Sequence, residues 1–261
     1  MVGNDIYKKL QAHKTWLKTN GKVGAQLNIV DDRHHNTNFY GFDCTRAKII
    51  DCKFFNCKFN KCDLKNIEIS YSKIYRCNFA MANMENAKII DTDLSESNFS
   101  SANLSNSLAK SSAFIKCKFH KANLEKSYFE LCDFLSANFY KSNLEYADLS
   151  YNILTSASFK STNLNYCNLV GADLRKTSLK GAMIYGISAW DVDTDLDTNQ
   201  EGLIITPKNI SSLYVDNLKV AQFIYLLLDN SEIRNVIDEL TSKAVLILGR
   251  FTDGRKYILD G

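Results

Sequence analysis

The feature that most constrains this chain is a five-residue period that keeps its frame from Phe39 to Ile184. Every fifth residue is apolar and large, as at Phe54, Phe59, Leu64, Ile69, Ile74, Phe79 and Met84, with one lapse at Ala109. Two positions ahead of each stands a small residue, Ala, Ser, Thr or Cys, with Phe42, Ile67 and Asn152 as the exceptions. Neither series contains a charge. A period of five fits neither a helix, at 3.6, nor a strand, at 2. The chain must therefore turn once per pentad, with two side chains inside and three outside.

A second period sits on the first. If four pentads make one coil, residues 20 apart lie on one another at about the 4.8 Å spacing of paired strands. The column Phe39, Phe59, Phe79, Phe99, Phe119, Phe139, Phe159 is phenylalanine throughout, and the next column, from Cys44 through Leu64 to Ile184, has none. Such segregation is what stacking like on like produces, since paired rings gain beyond their buried area. The reading is about seven and a half coils between Phe39 and Ile184. They form a rod about 35 Å long.

The motif A-(N/D)-L-x-x, intact at Ala102-Asn103-Leu104, Ala122-Asn123-Leu124, Ala147-Asp148-Leu149 and Ala172-Asp173-Leu174, resembles the pentapeptide-repeat family. That resemblance implies an all-β solenoid, a right-handed quadrilateral β-helix. Solenoid ends need caps. Residues 1–35 read as an N-terminal capping helix and entry turn, with Ile6, Leu10 and Leu17 at helical spacing beside Trp16, and 36–189 as the β-helix. Residues 190–213 read as an acidic linker. In 214–261, VAQFIYLLL and IRNVIDEL read as helices and AVLILGRF as a strand. The segment from VDNLKVAQFIYLLL to GRKYIL resembles the start of a TIR-like domain of bacterial pentapeptide-repeat proteins, and within 214–261 such a domain is incomplete.

Cys52, Cys57 and Cys62 fall at the inward small position, which accounts for them without a metal. The run Asp191, Asp193, Asp195, Asp197 lacks the glycine and the terminal glutamate of a calcium loop. The four histidines form no catalytic spacing, and His34-His35 is expected to be exposed in the entry turn. No phosphate loop or nucleophile elbow occurs. The expectation is a protein that is not an enzyme and uses no cofactor or metal. With no apolar signal core and no run long enough to span a membrane, the expected location is cytoplasmic, with the eight cysteines as thiols.

The outward residues distinguish the four sides. The phenylalanine side carries Lys58, Lys61, Lys118, Lys121, Lys141, Lys160 and Lys180, with His120 and no acid, for a sum of +7. The other three sides sum to −2, −2 and +2. The lysine side reads either as a surface for an anionic partner or as a solubilising face. The third side points Ile50, Tyr71, Ile90, Leu108, Tyr128, Leu131, Tyr151 and Val170 outward, a grouping that marks a contact surface. Its expected occupant is a second copy or the C-terminal helices folding back.

The expected function is a protein-interaction scaffold or sensor, with another protein or a second copy as partner and no membrane. The TIR-like resemblance implies bacterial signalling or defence. Two alternatives are a nucleic-acid binder using the lysine side and a DNA-mimic protein that protects DNA gyrase. The resemblance to quinolone-resistance members implies a strongly acidic rod for the latter, and this rod sums to +5.

Overall fold

The computed structural model describes residues 3–207 and 211–229, with Asn235 and Glu239 as isolated positions. The chain opens with α1, Gly3–Lys18, which turns Ile6 and Leu10 inward as its spacing predicts. His13 completes that buried stripe: its Nδ1 accepts the backbone N–H of Leu27 at 3.0 Å, anchoring the helix to the first coil.

The strands are three residues long because the chain turns every five. They are β1 (Asn28–Val30), β2 (Arg33–His35), β3 (Lys48–Ile50), β4 (Lys53–Phe55), β5 (Glu68–Ser70), β6 (Lys73–Tyr75), β7 (Lys88–Ile90), β8 (Leu108–Lys110) and β9 (Tyr128–Glu130). One parallel sheet runs β1-β3-β5-β7-β8-β9 and another β2-β4-β6. Both step by 20 residues, as in Ile29↔Ile49↔Ile69↔Ile89. Isolated bridges keep the same step on the two remaining sides, Asn38↔Lys58 and Asp43↔Asp63 among them. Four pairings per coil make the four sides.

Inside, the phenylalanine column stacks as the spacing requires. Consecutive rings from Phe39 to Phe159 lie 4.5–5.0 Å apart with interplanar angles of 1–8°. None is more than 2% exposed, so each contributes about 1.5–3 kcal/mol by burial. At the lapse, Ala109 is followed one coil later by Phe129, whose ring crosses Phe114 and Phe134 at centroid distances of 6.1 and 5.1 Å.

The corners explain the small series. At most of them the N–H of the small residue closes a four-residue turn on the carbonyl of the large residue before it, as in Ala82 to Phe79 at 3.0 Å. The residue two after the large one takes positive φ, as at Lys61 (58°), Met81 (60°) and Ser101 (57°), the geometry of a type II turn. Where a strand runs into the corner, a side chain one coil on takes over. Cys52 N–H donates to Ser72 Oγ (3.0 Å), Ser72 N–H to Thr92 Oγ1 (3.4 Å), Thr92 N–H to Ser112 Oγ (3.2 Å) and Cys132 N–H to Asn152 Oδ1 (2.6 Å). Asn152, an exception in the sequence pattern, thus does the work of a serine. Its Nδ2 donates to the carbonyls of Phe129 and Ser150 at 2.9 and 3.0 Å.

The coils extend beyond 36–189 at both ends. Pairing starts at Asn28, so His34 occupies an inward position, 2% exposed and stacked on Phe54 at 4.8 Å. The expectation of an exposed His34 is corrected: it sits 20 residues before Phe54 and fills the same column. At the other end Asp173↔Asp193 keeps the step of 20, and Ser178↔Asn199 and Met183↔Ile204 follow with a step of 21. The residues read as an acidic linker therefore begin by forming a further coil with one extra residue. Asp195 holds that corner, accepting the N–H groups of Lys176 and Asp197 at 2.9 and 3.2 Å. The Lys176 bond, first, keeps its carboxylate below the usual range.

Strands β10 (Leu203–Ile204) and β11 (Tyr214–Val215) then pair antiparallel, and α2 (Leu218–Asp229) follows, N-capped by Asn217 Oδ1 through the N–H of Lys219 at 2.8 Å. It buries Leu218 and Ala221 against the last coil. The expected second helix and the AVLILGRF strand lie outside the described residues, apart from the helical positions Asn235 and Glu239.

Candidate interaction surfaces

Pentads fix where outward side chains go, so each side is a set of columns with one residue per coil. On the second side the middle column forms a hydrogen-bonded ladder. Nδ2 of Asn83, Asn103, Asn123, Asn143 and Asn163 each donates to the side chain one coil earlier, at 2.7–3.2 Å, beginning on Asp63. The same side continues into Tyr146 and Tyr166, stacked at 4.7 Å, then Tyr185 and Tyr225 of α2. This tyrosine row joins the last coils to α2. Its sequence signal is Tyr166 lying 20 residues after Tyr146.

The third side carries the predicted apolar group. Tyr71, Leu131 and Tyr151 are 63–67% exposed and Tyr128 43%, whereas Ile50, Ile90, Leu108 and Val170 are half-buried between coils. Ile50 and Ile90 share a column with Val30, and Trp190 follows Val170 by one coil. Val30 and Trp190 are 57% and 55% exposed. Both belong to the stripe and lie outside the span 36–189, which is why sequence reasoning missed them. Two of the three lysines here are matched within the chain, Lys48 to Glu68 and Lys110 to Glu130 at 2.8 Å each. Helix α2 seats on the end of the rod and leaves Tyr71, Leu131 and Tyr151 uncovered.

On the phenylalanine side all seven predicted lysines are exposed and His120 is half-buried. The extra coil adds an acid that the sequence frame did not place there: Glu201 pairs with Lys180 at 2.8 Å. Lys61 lies over the Tyr40 ring at 5.7 Å and Lys141 over Tyr140 at 5.1 Å.

The interior offers little reactive chemistry. All eight cysteines are buried free thiols. Burial pushes Cys62 and Cys132 up to about 11 and raises Cys44, Cys52, Cys117 and Cys167 as well. Cys52, Cys57 and Cys62 project inward from successive sides, with Cys52 Sγ donating to the Ile29 carbonyl at 3.3 Å. Among the described residues no three His, Cys, Asp or Glu side chains gather as a metal site, and no helix is long and apolar enough to cross a membrane.

A family model described as pentapeptide repeats matches in 8 copies, over residues 75–107, 114–151 and 152–187. The matched stretches lie within the solenoid, whose fold is that of a pentapeptide-repeat β-helix. The interruption between the first two matched stretches contains Ala109, the lapse in the apolar series, although the pentapeptide-repeat coils run through it unbroken. Among solved structures, the chain is similar to QnrB1, a plasmid-mediated fluoroquinolone resistance protein, with 22% identity and TM-score 0.48 over 65% of this chain and 90% of that one. It is also similar to HetL of the cyanobacterium Nostoc sp. strain PCC 7120, a pentapeptide repeat protein involved in heterocyst differentiation regulation. There the identity is 21% and the TM-score 0.41, over 71% of this chain and 92% of that one. Neither likeness bears on what this chain binds. A comparison with curated proteins finds no match.

Proposed function

We propose that this chain is a non-catalytic interaction scaffold whose third side docks another protein, with a second copy as the first occupant to test. The observation that supports it is the uncovered stripe of Tyr71, Leu131, Tyr151 and Trp190, all more than half exposed on a rigid surface. Clustered exposed apolar groups favour contact with another surface. Because the neighbouring lysines and glutamates already pair with one another, the partner surface should be close to neutral. The C-terminal segment, with its resemblance to the start of a TIR-like domain, would tie the scaffold to a bacterial signalling or defence effector.

A photo-crosslinking amino acid at Leu131, with the same reagent at Glu85 on the second side as control, tests this reading. Crosslinks from position 131 to a second copy, together with a sedimentation coefficient that rises with concentration and falls in Leu131→Asp/Tyr151→Asp, would support it. Equal crosslinking from both sides, or a monomer with no crosslink from position 131, would contradict it.

A further inference from the structure

On the other three sides of the solenoid seven bases pair with acids, five of them one coil away, and on the phenylalanine side one does. Lys48–Glu68, Lys65–Glu85, Lys73–Asp93, Arg76–Glu96 and Lys110–Glu130 all pair at 2.7–3.7 Å. Lys180 has Glu201. Lys58, Lys61, Lys118, Lys121, Lys141 and Lys160 form no ion pair among the described residues, and all six are exposed. Lys118 and Lys121, Lys141, and Lys160 fall on three successive coils, within about 10 Å along the rod. Four unneutralised ammonium groups held this close on a stiff surface repel one another, and a polyanion removes that repulsion.

The aromatic residues narrow the class of polyanion. Tyr140, 38% exposed, lies among these lysines with Lys141 over its ring, and His120 meets it edge-on at 6.0 Å. Around Lys58 and Lys61 the arrangement recurs with Tyr40, 49% exposed. A cationic track with exposed rings suits a single-stranded nucleic acid, whose phosphates meet the ammonium groups while bases stack on the rings. An acidic polypeptide satisfies the lysines and has no use for the tyrosines.

We propose that the phenylalanine side binds single-stranded nucleic acid, with Lys118, Lys121, Lys141 and Lys160 on the phosphates and Tyr140 as a stacking platform. This surface is separate from the apolar stripe, so either can fail without the other.

The test is fluorescence anisotropy of a labelled oligothymidylate of about 16 nucleotides against the whole chain. Four phosphate contacts predict a log–log salt slope near −3, about a 50-fold loss of affinity between 50 and 200 mM salt. Lys118→Gln/Lys121→Gln/Lys141→Gln/Lys160→Gln should lose at least about tenfold and flatten the slope, while Lys48→Gln/Lys65→Gln/Lys88→Gln/Lys110→Gln stays within about twofold. Tyr140→Ala should weaken binding several-fold with the slope unchanged. No binding at 50 mM salt, or equal losses in the two quadruple variants, would overturn the proposal. So would an unaffected Tyr140→Ala, or polyglutamate competing as well as the oligonucleotide at equal charge.

Discussion

The interior and the outer surface of this solenoid are made by the same pentads, yet different forces order them. Inside, like stacks on like: seven phenylalanines share one column with rings 4.5–5.0 Å apart. Outside, each column is free to differ, and it does so side by side: an asparagine ladder, a row of tyrosines, an apolar stripe with paired charges, and a track of unpaired lysines. The backbone tolerates all four because the strand pairings and corner hydrogen bonds hold it whatever points outward. The core fixes the shape, and the surface is left for binding.

Substitutions at five positions sharpen that contrast, in order of decreasing cost. Phe99→Asp places a charge between Phe79 and Phe119 and should cost more than about 4 kcal/mol, leaving no cooperative melt, while Phe99→Leu should still fold. At a buried corner, Asn152→Leu strands the Cys132 N–H and should cost about 1–3 kcal/mol by denaturant titration; Asn152→Ser should recover part of it, since Ser72 and Ser112 do that job in the same column.

On the surface, Gly171 and Gly186 both have positive φ, and a Cβ on either would meet a tyrosine ring at 2.5 Å, Tyr151 and Tyr166 respectively. Tyr151 is 67% exposed and can swing away, whereas Tyr166 is held by Tyr146 and Tyr185. Gly186→Ala should therefore lower the melting temperature more than Gly171→Ala, by about 1 kcal/mol in stability.

The smallest expected effect is at the N-terminal end. Burial lowers the His34 pKa against a weaker opposing pull from Asp32. Because the folded state disfavours the proton, His34 favours folding above the unfolded value of about 6.5, and that contribution fades as pH falls below it. His34→Phe, which continues the stack on Phe54, should shrink the drop in melting temperature between pH 7.5 and pH 5. His13, lowered in the same sense by burial, should retain the remainder.

The fold was legible because inward positions admit few residue types, so the phase of the pentads and the 20-residue step could be read directly from Phe39 onward. What was not legible lay where the pattern changes its chemistry. His34 fills a phenylalanine-type position with a polar ring, so the apolar pattern shows that column only from Phe54 onward. The extra residue near Asp195 shifted the step from 20 to 21, which hid the last coil and Glu201 beside Lys180, whereas Trp190, still 20 residues after Val170, fell just past the end of the span 36–189. The surface was legible only as a list of columns. Whether a lysine is paired depends on which acid lies one coil away, as with Lys110 and Glu130, and that geometry appears only once the coils are stacked.

The most direct measurement is the distance between spin labels at Asn38→Cys and Ser158→Cys, both exposed or half-exposed positions of one column, in a protein whose native thiols are buried. Six steps of one strand spacing place the two backbones about 29 Å apart, and a single narrow distribution near that value is expected. A broad distribution, or a separation far from it, would mean that twenty residues do not advance the chain by one strand, and the account of core and surfaces would fall together.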